Sequence, residues 1–198
     1  MGANQRHKVS GYVHAKTRAD IDTNVKILKK LKWPEHKVDV VIDTDTYNEI
    51  DDQYAIAYAL RSEDRMTVKA IYAAPFDNDK CADAKEGMEL SFKEIHNICT
   101  KLGQTDILEH TFKGSPAFMD NEVTPVMSDA VNDLVERAMT YTEENPLYII
   151  ALGAITNIAS ALLVKPEIAD RIVLICLPAG IPAVSMRTQQ MPASSLCI

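Results

Sequence analysis

Cysteine is scarce in this sequence, and none of it is arranged for metal or redox work. Cys81, Cys99, Cys176 and Cys197 show no C-x-x-C spacing, which excludes a zinc ribbon, a thioredoxin-type pair and a disulfide framework. All four read as reduced thiols of a cytosolic chain. Positive charge is also short. The 21 Lys and Arg against 28 Asp and Glu give a net charge of −7, which excludes nucleic acid and anionic membranes as partners. A neutral nucleoside is not excluded by that balance. No apolar run reaches the length of a membrane span, and the start MGANQRHKVSGYVHAKTRAD lacks the apolar centre of a signal peptide. Arg6 stands where an N-myristoylation motif needs Ser or Thr. What is left is a soluble, cytoplasmic protein, and 198 residues suffice for one sizeable domain.

What is present is a rhythm of strands and helices. Residues 1–37 read as a polar, basic arm followed by a helix, DIDTNVKILKKL (20–31), which Pro34 ends. VDVVID (38–43) is a β-branched run suited to a buried strand, and a helix through Tyr54, Ala55, Tyr58, Ala59 and Leu60 follows, capped by Asp51 or Asp52. TVKAIYAA (67–74) is the second strand. Asp83 and Glu86 make a D-x-x-E start for a helix through Met88, Phe92, Ile95 and Ile98 that Gly103 closes. An amphipathic helix is expected over 126–143, a strand over 146–152, a helix over 156–164 and a strand over 171–177. This order predicts an α/β domain over 38–177: a Rossmann-like open, mainly parallel sheet with helices on both faces. Residues 178–198 break the rhythm, with three prolines, a single charge at Arg187 and no carboxylate, and read as a divergent tail.

The densest chemistry lies in VVIDTDTYNEIDDQYAIAYAL (40–60). Asp43, Asp45, Glu49, Asp51 and Asp52 put five carboxylates into ten residues, between the end of a strand and the start of a helix. Ligands of parallel α/β sheets bind beyond the carboxyl ends of the strands, so Asp43 and Asp45 point into that crevice. Carboxylates this close raise one another's pKa unless a cation joins them, and an oxygen-only cluster suits Ca2+ or Mg2+. Aspartates that only cap a helix are the plainer alternative, weakened here by their number.

Two enzyme families match this local pattern. Asp43-Thr44-Asp45-Thr46 resembles the strand-end motif of haloacid-dehalogenase-type phosphatases. That reading makes the chain a Mg2+-dependent phosphatase, with Asp43 as nucleophile, Asp45 as general acid and Lys80, Asp77 and Asp79 pressed into the remaining roles. IDTDTYNEIDDQYAIAYAL resembles the signature of the inosine–uridine-type nucleoside hydrolases, in which DTD, a short turn, DD and an alanine-rich helix follow one another. Most members have a turn two residues shorter containing Pro-Gly, so TYNEI resembles a variant branch. PLYIIALGAITNIASALLVKPEIADRIVLI (146–175) is similar to that family's strand, Gly-x-x-Thr-Asn and helix segment. The resemblance covers about residues 38–175.

The second resemblance implies hydrolysis of the N-glycosidic bond of ribonucleosides with a tightly held Ca2+. It makes Asp45 both a calcium ligand and the general base, Asp52 a bidentate calcium ligand, and the main-chain carbonyl of Leu152 a further ligand. Asp51 and Asn78 would contact ribose. It also implies a homo-oligomer, dimer or tetramer, and further site segments beyond Ile175, so the chain is expected to be C-terminally truncated. A truncated relative that has lost catalysis and serves as a binding or oligomerisation module is the non-enzyme reading. Outside the motifs, His96 is expected to be a partly buried structural residue and His110 to have no role. Asn157 reads as a helix-start residue, and Tyr54 with Tyr58 as core packing.

Overall fold

A computed structural model describes residues 25, 28, 29 and 32–176. Residues 33–176 lie in one unit and residues 1–32 in another. Of the expected first helix, Val25, Leu28 and Lys29 are helical, and the rest lies outside the described residues, as does the tail 178–198.

Five strands form the sheet: β1 (Val38–Thr44), β2 (Met66–Ala73), β3 (Thr111–Lys113), β4 (Leu147–Ala151) and β5 (Ile172–Cys176). Every pairing is parallel, in the order β3-β2-β1-β4-β5. Four helices connect them: α1 (Ile50–Arg61), α2 (Ala84–Lys101), α3 (Asp129–Ala138) and α4 (Thr156–Val164).

Alternation along the strands builds two cores, one on each face. Val41, Ala70, Tyr72, Leu147 and Ile149 pack with Ala130, Val131 and Leu134 of α3 and Ile158 and Ala161 of α4. Their neighbours Ile42, Ile71 and Ala73 point the other way, against Ile56, Ala59 and Leu60 of α1 and Met88, Ile95 and Ile98 of α2. The expected α/β sheet covered on both faces is what forms, because each of these strands is apolar on both sides. Among the described residues, no helix is long and apolar enough to cross a membrane.

Two helix starts follow their local sequence. Asp83 Oδ1 accepts from the Glu86 N–H at 2.8 Å at the start of α2, and Ser128 Oγ accepts from the Val131 N–H at 3.2 Å at the start of α3. Past the end of α2, Gly103 sits at φ 72°, the left-handed region that closes a helix with little cost only at glycine.

Two expectations need correction. Neither Asp51 nor Asp52 caps α1; Glu49 holds the cap position without a side-chain bond, and both aspartates fall in the first turn. Tyr54 and Tyr58 are not core packing: they are 70% and 73% exposed, because α1 turns Asp52, Ile56, Ala59 and Leu60 inward instead. Cys81 and Cys99 are free, and Cys197 lies outside the described residues.

Candidate active site

Chain order reverses once in this sheet. From β1 the chain steps outward through β2 and β3, then returns to lay β4 and β5 on the other side. The carboxyl ends of β1 and β4 therefore diverge at a topological switch point, where open α/β sheets bind ligands. Asp43-Thr44-Asp45 occupies one lip of that crevice and Leu152-Gly153 the other.

Hydrogen bonds hold the β1 end on both sides. Leu152 N–H donates to the Asp43 carbonyl and Ala74 N–H to the Thr44 carbonyl, each at 2.8 Å. The Asp45 side chain then crosses toward β4. A Cβ added at Gly153 would lie 2.7 Å from Asp45 Oδ1 and 2.8 Å from its Cγ. Gly153 is thus required for close approach, and it seats the Asp45 carboxylate against the strand-end backbone. The other oxygen, Oδ2, accepts from Asn48 Nδ2 at 3.0 Å.

Asp52 comes from the first turn of α1. Its Oδ1 accepts a short hydrogen bond from Thr44 Oγ1, so the residue between the two strand-end aspartates ties Asp52 to β1. Asp45 and Asp52 are only 8% and 6% exposed. Burial is the largest cause raising both carboxyls above their ordinary range. Asp52 reaches about 6, with repulsion from Asp45, Asp51 and Glu49 added and the Thr44 bond opposing. Asn48 opposes the rise at Asp45, to which Glu49 and Asp51 add repulsion. Among the described residues no cationic side chain contributes to either shift, so the two buried acids have no positive partner there.

Asp43 is a different kind of residue. It is fully buried, and burial pushes its carboxyl up to about 7. Its Oδ1 accepts from Asn157 Nδ2 at 2.7 Å, while Oδ2 is buried with no partner. A carboxylate sealed this way cannot attack a phosphate ester, which removes the phosphatase reading of Asp43 as nucleophile. Asn157 is the helix-start residue expected, in the first turn of α4, and it also clamps the site. Its Oδ1 accepts from Ser115 N–H at 2.7 Å and Ser115 Oγ at 2.9 Å, binding α4 to the loop after β3 while Nδ2 holds Asp43.

The remaining expected site residues gather at the same end of the sheet. Asp51 is exposed at the start of α1 and repels both Asp45 and Asp52. Asn78 is exposed in the loop after β2; its Nδ2 donates to Asn48 Oδ1 at 2.6 Å and its Oδ1 accepts from Lys80 N–H at 3.0 Å. His96 is half-buried on α2 beside Phe92, with ring centroids 4.6 Å apart, in keeping with a structural role. The sequence did not point to Asn48, Thr44 or the Asn157 clamp. A glycine directly after a strand, as at Gly153, was the one readable sign of a close approach.

The profile of the inosine-uridine preferring nucleoside hydrolases matches residues 40–181, well over half of the 198. The chain belongs to that family. Among solved structures it is similar to a plant nucleoside hydrolase, PpNRh1, at 23% identity and a TM-score of 0.51 over 72% of this chain and 48% of that one. It is also similar to the type III effector protein XopQ, solved with adenosine diphosphate ribose, at 15% identity and a TM-score of 0.51 over 86% of this chain and 50% of that one. At such identities the likeness shows the fold. The chain spans about half the length of the solved structures it matches. A search of curated proteins by sequence found no match.

Proposed function

We propose that this chain carries the metal- and water-handling part of a nucleoside hydrolase site, which hydrolyses the N-glycosidic bond of ribonucleosides to ribose and free base. One observation carries the reading. Asp45 and Asp52, both buried and both raised in pKa with no cation beside them among the described residues, lie at the switch-point crevice, Asp45 against Gly153.

The donor set suits a hard divalent cation, with calcium the ion the resemblance implies. Among the described residues, no group of three or more His, Cys, Asp and Glu side chains gathers as a metal site. The donors available are two carboxylates, Asp45 and Asp52, and the Leu152 carbonyl beside Gly153. All are oxygens, and among the described residues the acids lack a positive partner, which is what calcium selects. Bound there, the ion would lower the pKa of a water and hold it at the reacting carbon.

The residues of the chain supply the rest. Asp45 accepts the proton of the attacking water, held for that role by Asn48 at one oxygen and by its close approach to Gly153 at the other. Positive charge develops on the sugar as the glycosidic bond opens, and the carboxylates of Asp45 and Asp52 stabilise it in a buried setting. Asp51 and Asn78, both exposed at the rim, hold the ribose hydroxyls. A homo-oligomer and a cytoplasmic location belong to the same reading; light scattering giving a dimer or tetramer mass would support the first.

The test is reducing-sugar release from a panel of purine and pyrimidine nucleosides, with added Ca2+ and with chelator. Release that chelator stops and Asp45→Asn abolishes is the expected result. Release that is no greater than that of Asp45→Asn overturns the proposed activity, leaves the family assignment standing and favours the binding-module reading.

A further inference from the structure

The turn that carries the acidic cluster is itself gripped from outside. Asn48 lies three residues after Asp45 in that turn, and its N–H donates to the Asp45 carbonyl at 2.7 Å. Its side-chain amide faces two ways. Nδ2 donates to Asp45 Oδ2 at 3.0 Å, and Oδ1 accepts from Asn78 Nδ2 at 2.6 Å. Lys80 Nζ donates a short hydrogen bond to the Asn48 main-chain carbonyl. The loop holding Asn78 and Lys80 is tied in turn, since Asn78 Oδ1 accepts from Lys80 N–H and its carbonyl from Cys81 N–H at 3.2 Å.

We infer that Asn48 is a positioning residue for Asp45, and that Asn78 and Lys80 act on the site by holding Asn48. The geometry forces this division of labour. A carboxylate on a loop can rotate about two bonds, and Gly153, having no Cβ, only makes room for one side of Asp45. Asn48 fixes the other oxygen and leaves Oδ1 directed at the β4 lip. An asparagine amide offers one donating and one accepting end, so whichever group holds Oδ1 also fixes which end faces Asp45. Asn78 supplies that donor. A turn built around Pro and Gly would offer no side chain for this purpose; the TYNEI turn supplies its own. Partners that orient a ligating carboxylate typically change metal affinity or activity by about 10- to 100-fold when removed.

The inference rests on the role proposed for Asp45, and its test is arranged to separate the two. Calcium titration by calorimetry, which needs no turnover, is run on the full chain and on Asn48→Ala, Asn78→Ala and the double variant. Affinity is expected to fall by about 10-fold or more in Asn48→Ala and by less in Asn78→Ala. The double variant should be no weaker than Asn48→Ala, because the contribution of Asn78 passes through Asn48. In nucleoside hydrolysis, Asn48→Ala should lower kcat while leaving KM near its starting value, a split that general loosening of the fold would not produce. Calcium binding that is unchanged in both single variants, or losses that add in the double variant, overturns the positioning role and leaves the Asp45 reading intact. If the unaltered chain binds no calcium, the Asp45 reading falls and side-chain amide NMR decides the positioning role. Asn48 Nδ2 proton shifts that respond to both Asp45→Asn and Asn78→Ala uphold it, and shifts that respond to neither refute it.

Discussion

The acids at the starts of α1 and α2 do opposite things. At α2, Asp83 is exposed and its carboxylate accepts from the helix's own Glu86 N–H. At α1, Asp52 is buried, makes no cap, and accepts instead from Thr44 on the neighbouring strand. The first arrangement stabilises a helix: the charge stays in water and satisfies a free backbone donor. The second stores unfavourable charge, since burial lifts Asp52 to about 6 beside an Asp45 that is also raised. Buried acids shifted in this way in a cleft mark a candidate functional site. Burial and the direction of the hydrogen bond tell the two apart, whereas composition does not.

Filling the close approach at Gly153 is expected to break the contrast most severely. In Gly153→Ala the new methyl meets Asp45 Oδ1 at 2.7 Å. The flexible carboxylate yields before the backbone does, so the fold survives while Asp45 is displaced. A misplacement of about 1 Å can cost about 100-fold in rate. The measurement is kcat/KM for nucleoside hydrolysis beside a thermal melt, with activity falling far more than Tm.

Next comes pH. A carboxyl whose folded pKa lies above its unfolded value binds its proton more tightly when folded, so ionising it costs stability. For Asp43, raised from 3.8 to about 7, that cost appears as pH climbs through this window. It reaches on the order of a few kcal/mol at its upper end. Urea denaturation of metal-free protein across the window, compared with Asp43→Asn, should show the variant gaining in relative stability as pH rises. Asp52, raised to about 6, adds a smaller component of the same sign.

The Asn157 clamp should cost stability at any pH. Asn157→Ala leaves the Ser115 N–H and the Asp43 carboxyl without their partner in a fully buried place. Each orphaned group costs about 1–3 kcal/mol, so a loss of about 3 kcal/mol in the denaturation midpoint analysis is expected. The smallest effect sharpens the comparison from the other side. Asp83→Ala should cost about 1 kcal/mol, the usual value of a cap, and leave calcium binding and hydrolysis untouched.

Much of this architecture is legible before any coordinates. β1, β2, β4 and β5 are β-branched or apolar-rich runs, and the Asp83 and Gly103 signals bracket α2 within the sequence itself. The carboxylate pair is equally visible, because Asp45 and Asp52 sit at a strand end and the following helix start. What escapes depends on distant partners or on which way a helix faces. Asn157 reaches Asp43 across 114 residues and Ser115 across 42, and nothing local marks it. Asn48 becomes intelligible only once the loop after β2 brings Asn78 beside it. Tyr54 and Tyr58 have the spacing of a core stripe, yet α1 buries the face of Ile56 and Leu60. Periodicity identifies a face without saying which of two competing faces turns inward.

The measurement that bears most directly on the central claim is calorimetric titration with Ca2+ of three proteins: the unaltered chain, Asp45→Asn and Asp83→Asn. The acidic turn of α1 is held to be a cation site and the acidic start of α2 a cap. Binding by the unaltered chain and by Asp83→Asn, with loss in Asp45→Asn, is the expected result. Absence of binding in the unaltered chain, or binding that survives Asp45→Asn unchanged, would contradict it.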